Sequence, residues 1–165
     1  MENKSLLNEQ LKNSQSAKDG KYLTFVLGNE EYGLEILKVR EIIGMMDITS
    51  VPQTPKFVKG VINLRGKVIP IVDLRLKFSM PEAEYTKETC IIVVDIKGIF
   101  VGIVVDTVKE VLDIKEEDIE ETRALGSTVN TDFMLGMAKV KGTVKILLDI
   151  EKVLDSSQFE LIKRI

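Results

Sequence analysis

The chain has no histidine and no tryptophan, and Cys90 is its one cysteine. Without histidine the commonest general base at neutral pH is missing, and a zinc site of the Cys/His type cannot be assembled. One cysteine excludes a disulfide within the chain. Aromatic residues make up only 5% of the sequence, too few for the stacking platforms of a single-strand nucleic-acid binder. An excess of one charge sign is lacking too. The net charge is -3 with both signs interspersed, which is not the electrostatic footprint of a general nucleic-acid binder. No apolar run reaches the roughly 18 residues of a membrane span, and the N-terminus lacks the apolar segment of a signal peptide, so a soluble intracellular chain is expected. What is present is a hydrophobic content of 44% over 165 residues. That is enough for a real core, at a length that fits one domain or two small intertwined subdomains.

Residues 1–21 are polar, with Leu6, Leu7 and Leu11 as their few apolar positions, and read as a frayed tail that is at most briefly helical. From Tyr22 the pattern turns to alternation. YLTFVL and EEYGLEI flank Gly28-Asn29 as a hairpin, and Val61–Leu64 and Lys67–Val72 flank Arg65-Gly66 as another, with Gly66 at positive φ. Pro70 removes a backbone donor, which places its strand at an edge or at a bulge. Asp73 then caps a short helix, LRLKF. Beyond the polar connector SMPEAEYTKE the same order returns. A shift of 69 residues sets Gly33 on Gly102, Val39 on Val108 and Glu41 on Glu110. A shift of 76 sets Gly60 on Gly136, Gly66 on Gly142 and Asp73 on Asp149. The chain is one β unit used twice. Two packed small barrels, each of about five strands with a terminal helical turn, remove most free edges. The expected boundaries are 22–85 for the first subdomain, 86–150 for the second and 150–165 for a C-terminal segment of one or two amphipathic helices.

Candidate chemistry is sparse. Asp73 and Asp149 read as N-caps, and Asp95 and Asp106 as carboxylates satisfied by local backbone. Cys90 begins an apolar strand with no base to activate it. No catalytic residues, cofactor or metal are expected. A hydrolase using paired carboxylates survives only if Asp73 or Asp149 faces a cleft. Arg65 is either a solvated turn residue, as its repeat counterpart Lys141 suggests, or a rigid multi-donor recognition group on a loop tip. Val39 and Val108 fit the core by periodicity, although a strand face at the seam between barrels can serve both purposes. The two copies differ most at Asn63-Leu64-Arg65 and Pro70, where the second has Lys139-Val140-Lys141 and Ile146, so function is sought in that asymmetry.

The run from Pro52 through Pro55, Val58 and Gly60 to Val61-Ile62-Asn63-Leu64-Arg65-Gly66, Val68-Ile69-Pro70-Ile71-Val72-Asp73-Leu74-Arg75 resembles the characteristic motif of the CheW-type chemotaxis coupling proteins. Gly102–Asp106 with Val108 and Val111 is a second family-like stretch. The resemblance covers about Lys21 to the C-terminus. It implies two packed five-stranded SH3-like β-barrels in a mainly β chain, with short helical turns and a C-terminal helix. It further implies a cytoplasmic, non-catalytic adaptor that joins the tip of membrane-associated chemoreceptors to the CheA histidine kinase. By motif matching, Asn63, Leu64, Arg65, Gly66, Cys90, Gly102 and Val108 are expected at the receptor, in a groove between the subdomains. Val39, Glu41 and Gly60 are expected at the regulatory domain of the kinase, with Glu41 able to serve either surface. A regulatory module of the same type in another two-component pathway, and a small-barrel nucleic-acid binder, are the alternatives.

Overall fold

The computed structural model describes residues 2–14, 20–121 and 132–165. The loop expected over Arg123–Asp132 therefore lies almost wholly outside the described residues. In chain order the elements are α1 (Glu2–Ser14), β1 (Lys21–Leu27), β2 (Glu30–Glu35), β3 (Val39–Gly44), β4 (Val58–Leu64), β5 (Lys67–Asp73), α2 (Leu74–Lys77), β6 (Cys90–Ile96), β7 (Ile99–Val105), β8 (Thr107–Asp113), β9 (Ile119–Glu120), β10 (Met134–Val140), β11 (Thr143–Leu148), α3 (Ile150–Val153) and α4 (Ser156–Lys163). The hairpins stand where alternation placed them. Three of the four tips repeat one device, a Lys or Arg followed by Gly with both residues at positive φ: Arg65-Gly66, Lys97-Gly98 and Lys141-Gly142. This is the twisted two-residue turn that matches the twist of paired strands. Asp73 accepts from the Leu76 N–H and Asp149 from the Glu151 N–H, so both caps form as expected. Asp155 closes a reciprocal capping box with Gln158 at the start of α4.

The strands form one sheet in the order β3-β6-β7-β5-β4 and another in the order β8-β1-β2-β11-β10-β9. These do not divide the chain near residue 85. The two halves exchange their first hairpins: β1–β2 completes the barrel of β8–β11, while β6–β7 completes the barrel of β3–β5. The repeat registers survive the exchange. Ile71 lies opposite Gly102 where β5 meets β7 in parallel, and Leu147 opposite Gly33 where β11 meets β2. A Cβ at Gly102 would stand 2.6 Å from Ile71 Cδ1 and 2.8 Å from Ile91 Cγ2, so the isoleucine side chains packed over this position would have to shift to admit one. The expected boundaries 22–85 and 86–150 are units of sequence repetition, whereas each folded barrel draws on both. The second sheet also has one strand more than expected, the short β9, at the place where the first has only an isolated Thr49–Val61 bridge.

Pro70 is not on an edge strand, since β5 lies between β7 and β4. The missing donor is tolerated because the parallel ladder to β7 begins one residue later, at Ile71, and the bulge falls on the facing strand between Val58 and Gly60. Exchange of hairpins also explains where the core lies. Each barrel has a small interior, Ile62, Leu64, Ile69, Ile71, Ile91, Val93 and Val104 in one and Tyr22, Leu112, Ile114, Ala138 and Leu147 in the other. The largest cluster runs between the barrels, from Leu23, Phe25 and Leu34 to Ile92, Val94, Val101 and Ile103, and takes in Leu74, Ile150 and Ile162 of the helices. Successive side chains of β6 and β7 thus enter two different cores, which is why CIIVVDI reads as a continuous apolar run. The seam is the main source of hydrophobic stabilisation and makes the two barrels one body.

The N-terminal segment departs from the expected tail. Glu2–Ser14 is a helix, and its Leu7 and Leu11 are buried in the cluster between the barrels. Two apolar residues at i and i+4 are too few to signal a helix by periodicity, and the helix owes its place to tertiary packing.

Candidate interaction surfaces

The tip of the β4–β5 hairpin is built by its own backbone. Arg65 and Gly66 have φ of 51° and 89°, and the Asn63 side-chain oxygen accepts the Gly66 N–H at 2.8 Å. Alternation then buries Leu64 and leaves Asn63, Arg65 and Gly66 outside. The Arg65 side chain is 70% exposed, and its guanidinium pairs with the Glu41 carboxylate on β3. The residues expected at opposite partners therefore form one patch. The same pair recurs in the other barrel, where Lys141 meets Glu110 at 3.3 Å. Beside Arg65 the face continues with Lys67 and Arg40, both exposed, whose cations lie 4.7 and 5.4 Å from the centre of the Phe100 ring. Val68 stands out at 62% exposure.

The other expected contact residues lie deeper. Val39 and Cys90 are in the core between the barrels, Gly102 is covered by Ile71 and Ile91, and Gly60 sits at φ 141° with the Thr49 backbone where a Cβ would go. These positions shape strands and present no side chain to a partner. The Cys90 Sγ–H donates to the Glu88 carbonyl oxygen at 3.1 Å. Burial pushes its thiol up against the opposing charge of Lys4, the setting of an inert packing cysteine. Val108 is half-buried on β8 opposite Phe25 and packs on the core's margin, so it alone of the deeper group is partly accessible.

Two polar links form around Asp106 and Asp73, and the first ties α2 to the β1–β2 turn of the other barrel. Arg75, from α2, donates Nε and Nη2 to the two oxygens of Asp106 at 2.7 and 2.6 Å, and Asp106 also accepts the Gly28 N–H from the β1–β2 turn at 2.8 Å. Burial opposes the Asp106 charge, but the guanidinium and the Gly28 N–H outweigh it and hold the carboxyl below its ordinary value. The Tyr85 hydroxyl donates to Asp73 at 2.9 Å, and burial, with that hydrogen bond second, raises the phenol well above its ordinary value. Asp73 and Asp149 are thus engaged as caps and do not converge as a carboxylate pair. The sequence signal for the Arg75–Asp106 link was only that both belong to family-like stretches, since their separation of 31 residues leaves no local pattern.

The family model for the CheW-like domain matches residues 21–158. The chemotaxis protein CheW of Klebsiella aerogenes is 42% identical over 144 residues, covering 87% of this chain and 87% of that protein. The CheW of Rhizobium meliloti is 36% identical over 138 residues, covering 84% of this chain and 89% of its own. Among solved structures, the scaffolding protein TtCheW from Thermoanaerobacter tengcongensis superposes with a TM-score of 0.77 at 37% identity, over 84% of this chain and 94% of that one.

Proposed function

The chain belongs to the CheW-like family and is a chemotaxis coupling adaptor, and on that premise we propose that it joins the cytoplasmic tip of chemoreceptors to the regulatory domain of a CheA-type histidine kinase, without catalytic activity of its own. It works in the cytoplasm and is recruited to membrane-associated receptor arrays. No helix among the described residues is long and apolar enough to cross a membrane. The observation that carries this reading is the single core spanning both barrels. An adaptor transmits a preference from one partner to another only if its surfaces are rigidly related, so that binding one partner biases binding of the other.

Within that reading Asn63, Arg65, Gly66 and Glu41 are the contact patch at the β4–β5 hairpin tip, and Val108 lies at the margin of the seam. Leu64, Cys90, Gly102, Val39 and Gly60 act through the strand shape they impose. Titration of the purified chain with the kinase regulatory domain, and separately with a receptor-tip hairpin, tests the assignment. Independent binding of both, with a ternary complex on mixing, is the expected result. Binding of neither, or mutual exclusion of the two, would refute it.

A further inference from the structure

Helix α1 lies across the seam, against β3 of one barrel and β8 of the other. Both strands are terminal in their sheets, so each offers an edge whose outward N–H and C=O groups lack strand partners. The Asn8 side chain answers one such edge. Its amide donates to the Ile42 carbonyl oxygen at 3.1 Å and accepts the Ile42 N–H at 3.0 Å, so it copies the reciprocal pairing of a neighbouring strand. On the same side Leu7 and Leu11 enter the core between the barrels, and Lys4 lies over Gly44. The surface beneath is therefore a working helix-binding site, with leucine sockets one turn apart and a polar clamp between them.

The hold on α1 is limited. Among the described residues Leu7, Leu11 and the Asn8 clamp are its main anchors, Leu6 is 59% exposed, and a helix of 13 residues is marginal without such packing. The family match begins at residue 21, so the surface lies within the matched domain and α1 precedes the match.

We infer that α1 is an internal ligand of this surface, and that a helix of the chemoreceptor tip reaches it by displacing α1. The inference rests on the adaptor reading above. Each occupies the surface only when the other is absent, so α1 lowers the adaptor's apparent affinity by the fraction of time it is docked. Occupancy of about nine parts in ten corresponds to about a tenfold loss.

The test uses the full chain, the Leu7→Glu/Leu11→Glu variant, and the milder Asn8→Ala variant in case the first folds poorly. Amide hydrogen exchange at Ile42 reports release of α1, protection of Ile92 and Val94 reports intact barrels, and calorimetric titration with a receptor-tip fragment reports affinity. Faster exchange at Ile42 is expected in both variants, with binding tightened about tenfold in the double variant and by a smaller factor in Asn8→Ala. Faster exchange with unchanged or weaker binding would overturn the inference and leave the adaptor reading standing. Absence of receptor binding in every form would overturn both.

Discussion

Phe100 and Glu31 hold the same place in the two barrels, one on β7 and the other on β2, 69 residues apart. Of the cations around them, Arg40 and Lys109 are repeat counterparts, whereas the counterpart of Lys67 is Thr143 and that of Lys145 is Ile69. Arg40 and Lys67 lie over the Phe100 ring, whereas Lys109 and Lys145 pair with the Glu31 carboxylate. In the first barrel the ring collects two exposed cations without burying a charge. In the second, Glu31 neutralises Lys145, whose side chain is only 6% exposed. One fold thus supports two chemistries at one site. The first barrel keeps its cations at the surface beside Arg65 and Val68, where a partner can meet them, and the second spends Lys145 on its own stability.

The bulge common to both hairpins is the most sensitive point of the comparison. Gly60→Ala would place a Cβ 2.0 Å from the Thr49 carbonyl oxygen at a φ of 141°, and a loss of about 4 kcal/mol in urea unfolding is expected. A loss below about 1 kcal/mol would show that the bulge is not fixed by backbone contact.

Glu31→Ala strands the Lys145 ammonium and is expected to cost about 3 kcal/mol. Adding Lys145→Met should recover most of it by replacing a buried charge with an apolar side chain. If the double variant is as unstable as the single, Glu31 acts through something other than this pair.

Asp106→Asn removes the charged acceptor of Arg75 and should cost about 2 kcal/mol at pH 7. The Asp106 carboxyl is held below its ordinary value in the folded chain, so the unfolded chain binds more protons in the acid range. Its contribution is then full above the unfolded pKa of about 3.9 and is lost as pH falls through the folded value. The stability gap between wild type and Asp106→Asn should stay constant from pH 7 to about pH 5 and close at lower pH. A gap that persists in acid would assign the effect to packing.

Much of this was legible in the sequence because it is local. The Arg-Gly and Lys-Gly turns, the Asp caps and the C-terminal helical pattern are set within a few residues, and the two repeat registers show as constant shifts of 69 and 76. The repeat even placed Glu41 on Glu110 and Arg65 on Lys141, which the structure realises as two equivalent ion pairs. What was not legible depends on choices between distant partners. The repeat-equivalent hairpins β1–β2 and β6–β7 fit either barrel, so the exchange left no mark in the sequence. Asp106 read as a residue satisfied by its own turn, whereas its partners come from α2 and the β1–β2 turn. Among the described residues, the docking of α1 rests on two leucines and one asparagine in a polar stretch. Among the expected site residues, motif matching did not separate the exposed tip, Asn63, Arg65 and Gly66, from the buried Val39, Cys90 and Gly102.

The smallest stability effects carry the most weight for function. Arg65→Ala and Lys141→Ala each remove an exposed ion pair, and each should change stability by less than about 0.5 kcal/mol. The direct test of the account is a titration of wild type, Arg65→Ala and Lys141→Ala with the kinase regulatory domain and a receptor-tip fragment together. The account predicts ternary assembly weakened about tenfold, or about 1.4 kcal/mol, for Arg65→Ala and little changed for Lys141→Ala. Equal effects of the two substitutions would contradict it, because Arg65 would then be no more than one copy of a repeated structural pair.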